Sequence, residues 1–171
     1  MNEKTFELLR YVLSVPDFPE KGVMFRDISP LMAQKMPETI REFAKLFEKD
    51  EIAATTAFAG IDSRGFIFAS ALAMHFNKNL VLVRKAGKLP PPIFQESYSL
   101  EYGTASLEMA PGFGTVILVD DVLATGGTLM AAANLCQRSG YEVKAIAALI
   151  NLPALNNFEW QGQKARSLFE F

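Results

Sequence analysis

Two rhythms of apolar and polar residues divide this chain, and the switches between them mark its elements. From Lys4 to Leu13 the apolar residues Phe6, Leu8, Leu9, Val12 and Leu13 fall mostly at helical spacing, predicting a short amphipathic helix that Pro16 ends. The same spacing returns between Pro37 and Phe47, where Ile40, Phe43, Ala44 and Phe47 share one face and Pro37 suits a first helical turn. From Gly65 to Phe76 the chain is apolar nearly all round, so this helix is either central or at a subunit contact. An Ala-rich helix from Leu129 to Arg138 buries Ala131, Ala132, Leu135 and Cys136, and Ser139-Gly140 stops it.

Between these helices lie short apolar runs with no helical period. Thr55 to Gly60, Leu80 to Val83, Val116 to Val119 and Val143 to Leu152 read as buried strands. Thr104 to Met109 alternates instead and reads as a returning strand, and Ala165 to Phe171 as a last edge strand. Strands alternating with helices predict an α/β fold, a mostly parallel central sheet with helices on both faces, whose ligands bind outside the strand C-termini. No linker, repeat or low-complexity segment interrupts it, so residues 1–171 are expected to form one domain. Two stretches stand outside the rhythms. Phe18 to Pro30, punctuated by Pro and Gly, reads as an ordered loop or small subdomain, and Pro90 to Gly103 reads as a long excursion of the kind that forms lids.

Composition narrows the class. At 171 residues, half of them apolar, the chain is long enough to bury a substantial core. A net charge of -2 gives no general footprint for nucleic acid. The single Cys136 cannot form an internal disulfide and suits a reducing cytoplasm, where a buried structural thiol is expected. The first residues lack the pattern of a signal peptide, and no run has transmembrane length, so no membrane partner is expected. His75 is the sole histidine, so no Ser-His pair, His-rich metal site or acid–base couple can be built around a second one, and an ordinary, partly exposed helix-end role is expected.

The densest chemistry lies in Val116-Ile117-Leu118-Val119-Asp120-Asp121-Val122-Leu123-Ala124-Thr125-Gly126-Gly127-Thr128. A buried strand ends in two carboxylates, and a small-residue turn then delivers backbone N–H groups and two hydroxyls to a helix N-terminus. Unpaired amides and the helix dipole both favour a phosphate there. A P-loop would need Lys before the last Thr and a Rossmann turn a third Gly; neither is present. The acids can accept hydrogen bonds from vicinal hydroxyls, pointing to a ribose 5-phosphate, or can cap the following turn. Arg64, at the start of the helix after Ile61-Asp62-Ser63, is electrostatically misplaced unless it serves an anion or lies solvated at the surface. Arg84-Lys85-Ala86-Gly87-Lys88-Leu89-Pro90 is a basic loop open to the same two readings.

The thirteen-residue run closely resembles the phosphoribosyl pyrophosphate motif of type I phosphoribosyltransferases, and Phe18 to Leu152 as a whole resembles the adenine-specific branch of that family, joining five motifs in family order. The resemblance implies a small N-terminal hood over about residues 1–33 and a flexible catalytic lid over about 85–108. It implies transfer of the phosphoribosyl group to adenine, giving AMP and pyrophosphate in purine salvage. Asp120 and Asp121 would hold the ribose, Ala124, Thr125, Gly126, Gly127 and Thr128 the 5-phosphate, and Arg64, Lys85 and Lys88 the pyrophosphate. Met24, Phe25 and Arg26 would bind adenine, with Phe25 stacking on the base, while Glu101 and Tyr102 would work at the lid. Glu101, Arg64 and Lys88 are the implied catalytic groups, and Mg²⁺ would be held mainly by substrate oxygens rather than by the chain. The Asp62-Ser63 bond corresponds to a position often held cis, Arg84 to one that reaches a neighbouring subunit's site, and the family is dimeric. Transfer to another purine base, or non-catalytic sensing of phosphoribosyl pyrophosphate by a regulator of the same fold, are the alternatives. The chain departs from its relatives in a shorter return from Met109-Ala110 to Pro111-Gly112 and in the run Pro90-Pro91-Pro92, both of which bear on lid geometry.

Overall fold

The computed structural model describes residues 3–100 and 103–171. The chain divides into two compact units, Met1–Lys45 and Leu46–Phe171.

In the first unit, α1 (Glu3–Leu9) leads into β1 (Leu13–Pro16), which pairs antiparallel with β2 (Met24–Asp27) before α2 (Ser29–Ala44). The opening helix is therefore shorter than its spacing suggests. Leu13 to Pro16 faces Asp27 to Met24 as a strand, and Pro16 ends that strand rather than the helix. Proline is tolerated there because a two-stranded ribbon leaves outward N–H positions unused. The carboxylate of Asp27 accepts from the Ser29 N–H at 2.8 Å and so opens α2, with Pro30 in the first turn. This helix begins earlier than expected and runs through Pro37, with a break at Lys35, where φ is -136°. Pro37 lacks an N–H and crowds the preceding turn, which is how a helix acquires such a kink.

The second unit runs α3 (Lys49–Ala54), β3 (Ala57–Ile61), α4 (Arg64–Phe76), β4 (Asn79–Lys85), β5 (Phe94–Leu100), β6 (Gly103–Met109), β7 (Gly114–Leu123), α5 (Gly127–Arg138), β8 (Tyr141–Asn151), a 3₁₀ turn (Pro153–Leu155) and β9 (Arg166–Glu170). The strands form one sheet in the order β5-β6-β4-β3-β7-β8-β9. β4, β3, β7, β8 and β9 are parallel, while β6 pairs antiparallel with β4 and β5. The expected α/β fold with a mostly parallel sheet is thus present. α3 was not foreseen; its acidic start, closed by a bond from Glu48 N–H to the Glu51 carboxylate at 2.9 Å, gives too short a helix to leave a period.

Side chains alternate across this sheet as a strand period requires. Ala57, Ala59 and Ile61 of β3 and Val116 and Leu118 of β7 pack with Leu129, Ala132, Leu135 and Cys136 of α5. Phe58 points the other way and stacks on Phe76 of α4 at 5.8 Å between centroids. Full burial of such a ring contributes about 1.5 to 3 kcal/mol. Gly60 lets α4 come close, since a Cβ there would lie 2.8 Å from the Ala69 Cβ. α4 is less enclosed than its composition suggests. Phe68, Ala69, Leu72 and Ala73 are buried, yet Ile67 and Met74 are 41% and 82% exposed. On β4 Val83 is buried, but Leu80 and Leu82 are not, which corrects the expectation of a wholly buried strand there. Among the described residues no helix is long and apolar enough to cross a membrane.

The stretch read as an irregular excursion is largely a hairpin. Phe94 to Leu100 pairs with Met109 to Gly103 in an unbroken antiparallel register. Its alternation was obscured by the polar run Gln95-Glu96-Ser97. β7 also extends further than expected. It does not end at the acid pair but continues its pairing with β8 through Val122↔Ile150 to Leu123↔Asn151.

Candidate active site

The order of strands reverses about β3. From β3 the chain crosses through α4 to β4 on one side, and from β7 it crosses through α5 to β8 on the other. The crevice outside the C-terminal ends of β3 and β7 is therefore the switch point, where ligands of open α/β sheets bind.

Two corners meet there. At the end of β3 the Asp62-Ser63 bond is cis, as the resemblance implies, and α4 starts at Arg64 with no side-chain cap. Gly65 is required by close approach, because a Cβ on it would sit 2.8 Å from Asp120 Oδ1 and 2.9 Å from the Val119 carbonyl. Arg64 reaches across the crevice to Asp121, Nη2 to Oδ2, at 2.7 Å. An Arg at a helix start is held against the dipole by that carboxylate. Arg84, near the end of β4, lies 3.4 Å from the Asp62 carboxylate and over the Phe66 ring, so it braces the β3 corner.

Toward the C-terminal end of β7, Asp120 and Asp121 are both about 8% exposed. Asp120 Oδ1 accepts from the Asp121 N–H at 2.9 Å. Burial, and then the charge of Asp121, push the Asp120 carboxyl well above the usual range. The loop that follows ends at Gly126 with φ of +90°, and α5 begins with no side-chain cap. A Cβ on Gly126 would also lie 3.0 Å from the Phe158 ring. An uncapped helix start beside two hydroxyls has the donors to receive a phosphate, the role the resemblance implies for Thr125 to Thr128.

Residues that the sequence pattern did not single out hold this loop and the helix after it. Asn156 donates from Nδ2 to the Ala124 carbonyl at 2.7 Å and to the Leu152 carbonyl at 2.9 Å, and accepts from the Phe158 N–H at 3.1 Å. Trp160 donates to Asn134 Oδ1 on α5 at 2.8 Å. The doubled Asn156-Asn157 before two aromatics was the available signal. Glu108 on β6 was also missed, although an acid between the apolar Leu107 and Met109 invites the question of its partners. It is buried and accepts from the N–H groups of Gly87, Lys88 and Leu89 at 2.8, 2.5 and 2.5 Å. Lys85 and Lys88 themselves carry exposed side chains.

Met24, Phe25 and Arg26 lie in the first unit on β2, not in a loop. Phe18 meets Phe25 edge to face at 5.1 Å, and the Arg26 guanidinium donates to the Ser14 hydroxyl. Glu101 and Tyr102 lie outside the described residues. Cys136 is a buried structural thiol pushed up to about 12 by burial, and His75 sits exposed at the end of α4, both as expected.

This sheet corner joins an ion-paired Arg, an acid pair and an uncapped helix start, and the Phosphoribosyl transferase domain family matches residues 33–159. The chain is 48% identical to the adenine phosphoribosyltransferase of Hydrogenovibrio crunogenus over 98% of both chains. It superposes on the crystal structure of adenine phosphoribosyltransferase from Rhodothermus marinus with a TM-score of 0.84, 37% identity and 98% of each chain covered. The Saccharomyces cerevisiae adenine phosphoribosyltransferase, in complex with an imino-altritol bisphosphate and adenine, gives 0.85 at 29% identity, covering 98% of this chain and 99% of that one. The chain belongs to the phosphoribosyltransferase family and, within it, to the adenine phosphoribosyltransferases.

Proposed function

We propose that this protein transfers the 5-phosphoribosyl group of phosphoribosyl pyrophosphate to adenine, giving AMP and pyrophosphate in purine salvage. The observation that carries the reading is the meeting of two unlike corners at one switch point, a cationic one at Arg64 and an uncapped one at Thr125 to Thr128. The yeast relative's complex with adenine and a bisphosphate supports the same assignment. In this reading Ala124 to Thr128 hold the 5-phosphate, Asp120 and Asp121 the ribose hydroxyls, and Arg64, Lys85 and Lys88 the pyrophosphate. Met24, Phe25 and Arg26 hold adenine. As the bond to pyrophosphate breaks, C1′ becomes cationic, and Arg64 and Lys88 stabilise the departing charge. Glu101 receives the imidazole proton of adenine so that N9 can attack, and Tyr102 shields it.

The donor set fits Mg²⁺ brought by the substrate. Among the described residues no three His, Cys, Asp or Glu side chains gather as a metal cage. Mg²⁺ is commonly met by one or two carboxylates together with substrate phosphates, and Asp120 and Asp121 are of that kind. Bound there, it would add positive charge against the pyrophosphate. The exposed Ile67 and Met74 of α4 with Leu80 and Leu82 of β4 support a homodimer. The single reduced Cys136 accords with a cytoplasmic enzyme.

The test is pyrophosphate release with each base in turn. Adenine is expected to win over hypoxanthine and guanine, because a 6-oxo purine leaves donors and acceptors mismatched at roughly 1 to 3 kcal/mol for each unsatisfied group. Comparable turnover with hypoxanthine would overturn the assignment.

A further inference from the structure

Glu108 stands apart from the substrate-facing acids. Its strand, β6, is the returning arm of the β5–β6 hairpin, and it pairs with β4 through Arg84↔Glu108 and Lys85↔Leu107. Immediately past that pairing the Ala86 N–H donates to the Ser106 carbonyl at 3.0 Å, and Gly87 takes φ of +83°. The next N–H groups, those of Gly87, Lys88 and Leu89, then turn inward onto one buried carboxylate. Three consecutive amides on one anion form a nest, a geometry that fixes the curvature of the backbone bearing it. The three amides hold the carboxyl below its usual range against the opposing effect of burial, so the anion is retained.

Two consequences follow for the basic loop. Its backbone amides are spent on the chain's own carboxylate, so an incoming anion is met by the Lys85 and Lys88 side chains instead. The Cα of Lys88 also takes its place from a residue on the hairpin strand. We propose that Glu108 is a positioning residue for the transfer reaction, one that shapes the 86–89 loop so that Lys88 meets the pyrophosphate and that couples this loop mechanically to the lid hairpin. The proposal rests on the functional reading above, through the role given there to Lys88.

The test combines kinetics with amide exchange. In the whole protein, Glu108→Gln keeps the side chain's size but turns an NH₂ toward the three donors. It is expected to raise KM for phosphoribosyl pyrophosphate about tenfold while KM for adenine stays within about twofold. In a Lys88→Ala background the same substitution should have little further effect, since it would act through a side chain already removed. Equal changes in both KM values, or full additivity with Lys88→Ala, would overturn the proposal. Should Glu108→Gln fail to fold, hydrogen exchange on the unaltered protein decides: slow exchange at Gly87, Lys88 and Leu89 supports the nest, and exchange as fast as in an open loop overturns it. Absence of any pyrophosphate release with adenine from the unaltered protein would instead refute the functional reading, and the shaping role of Glu108 would then be judged on exchange alone.

Discussion

Two loops at the C-terminal ends of this sheet's parallel strands line up consecutive backbone N–H groups, and they use them in opposite ways. After β4, the amides of residues 87–89 are closed by Glu108 from within the chain. After β7, residues 125–128 lead into α5 with no side-chain cap. The first loop carries Lys88, with Lys85 at the strand end just before it, and the second carries no charge at all. In the proposed reading an anion would be met by side-chain cations at one place and by fixed dipoles at the other. That division suits a substrate with one phosphate that stays and one diphosphate that must leave. In the proposed reading, fixed backbone donors would bind the former throughout the reaction, while side chains would follow the departing charge of the latter.

The sharpest way to break this contrast is to close the open loop as the other is closed. Thr128→Glu places a carboxylate in the first turn of α5, where the dipole and free amides favour it by about 0.3 to 1 kcal/mol. Unfolding temperature should hold or rise slightly, while kcat/KM for phosphoribosyl pyrophosphate falls at least about 100-fold, roughly 2.7 kcal/mol of transition-state stabilisation. Steady-state kinetics beside a thermal melt checks both. Near-normal kcat/KM would mean that the 5-phosphate binds elsewhere.

The open loop was legible in the sequence and its supports were not, for a physical reason. Asp120 to Thr128 is contiguous, and small residues after a buried strand have few uses other than close approach. Arg64 could be singled out because a cation at a helix start is anomalous. Asn156 and Glu108, by contrast, act through partners 32 and about 20 residues away, and an Asn in a turn or an acid in a strand looks ordinary until those partners are known. The elements behaved likewise. Helices with a full apolar face were found, but α3, too short to show a period, and β1, β2 and β5, whose alternation is broken by Pro or polar residues, were read as loops or missed. The extension of β7 past its acids was hidden because pairing with β8 continues beneath polar side chains.

A gentler change sharpens the contrast from the scaffold side. Asn156→Ala removes the donor to the Ala124 and Leu152 carbonyls and the acceptor for Phe158, leaving part-buried groups to find water. The expected cost in stability is about 1 to 3 kcal/mol. KM for phosphoribosyl pyrophosphate should rise by roughly tenfold as the 5-phosphate loop loosens, with the adenine KM little changed. If kinetics are unaltered and only the melt shifts, Asn156 supports the fold but not the cradle.

The smallest effect concerns the carboxylates themselves, which mirror the two loops. Glu108 is buried among donors and its carboxyl is held below the usual range, whereas Asp120 is buried beside Asp121 and pushed well above it. An acid whose pKa is raised by folding binds its proton more tightly in the native state than in the unfolded one. Its ionisation therefore costs stability, beginning as pH rises past the unfolded value near 3.8 and complete once pH exceeds the raised native value. Asp120→Asn removes that cost while retaining an oxygen to accept from the Asp121 N–H. In the free protein it should stabilise by about 0.5 to 2 kcal/mol at neutral pH, the usual gain from relieving one unfavourable group, and shift the melt by a few degrees. The gain should shrink toward zero as pH falls to about 4, because native Asp120 is by then protonated and neutral like the amide. Melts of both proteins across that range decide it. A gain independent of pH would trace the stabilisation to packing, and a loss at neutral pH would mean that Arg64 compensates both carboxylates and that the acid pair is held without strain.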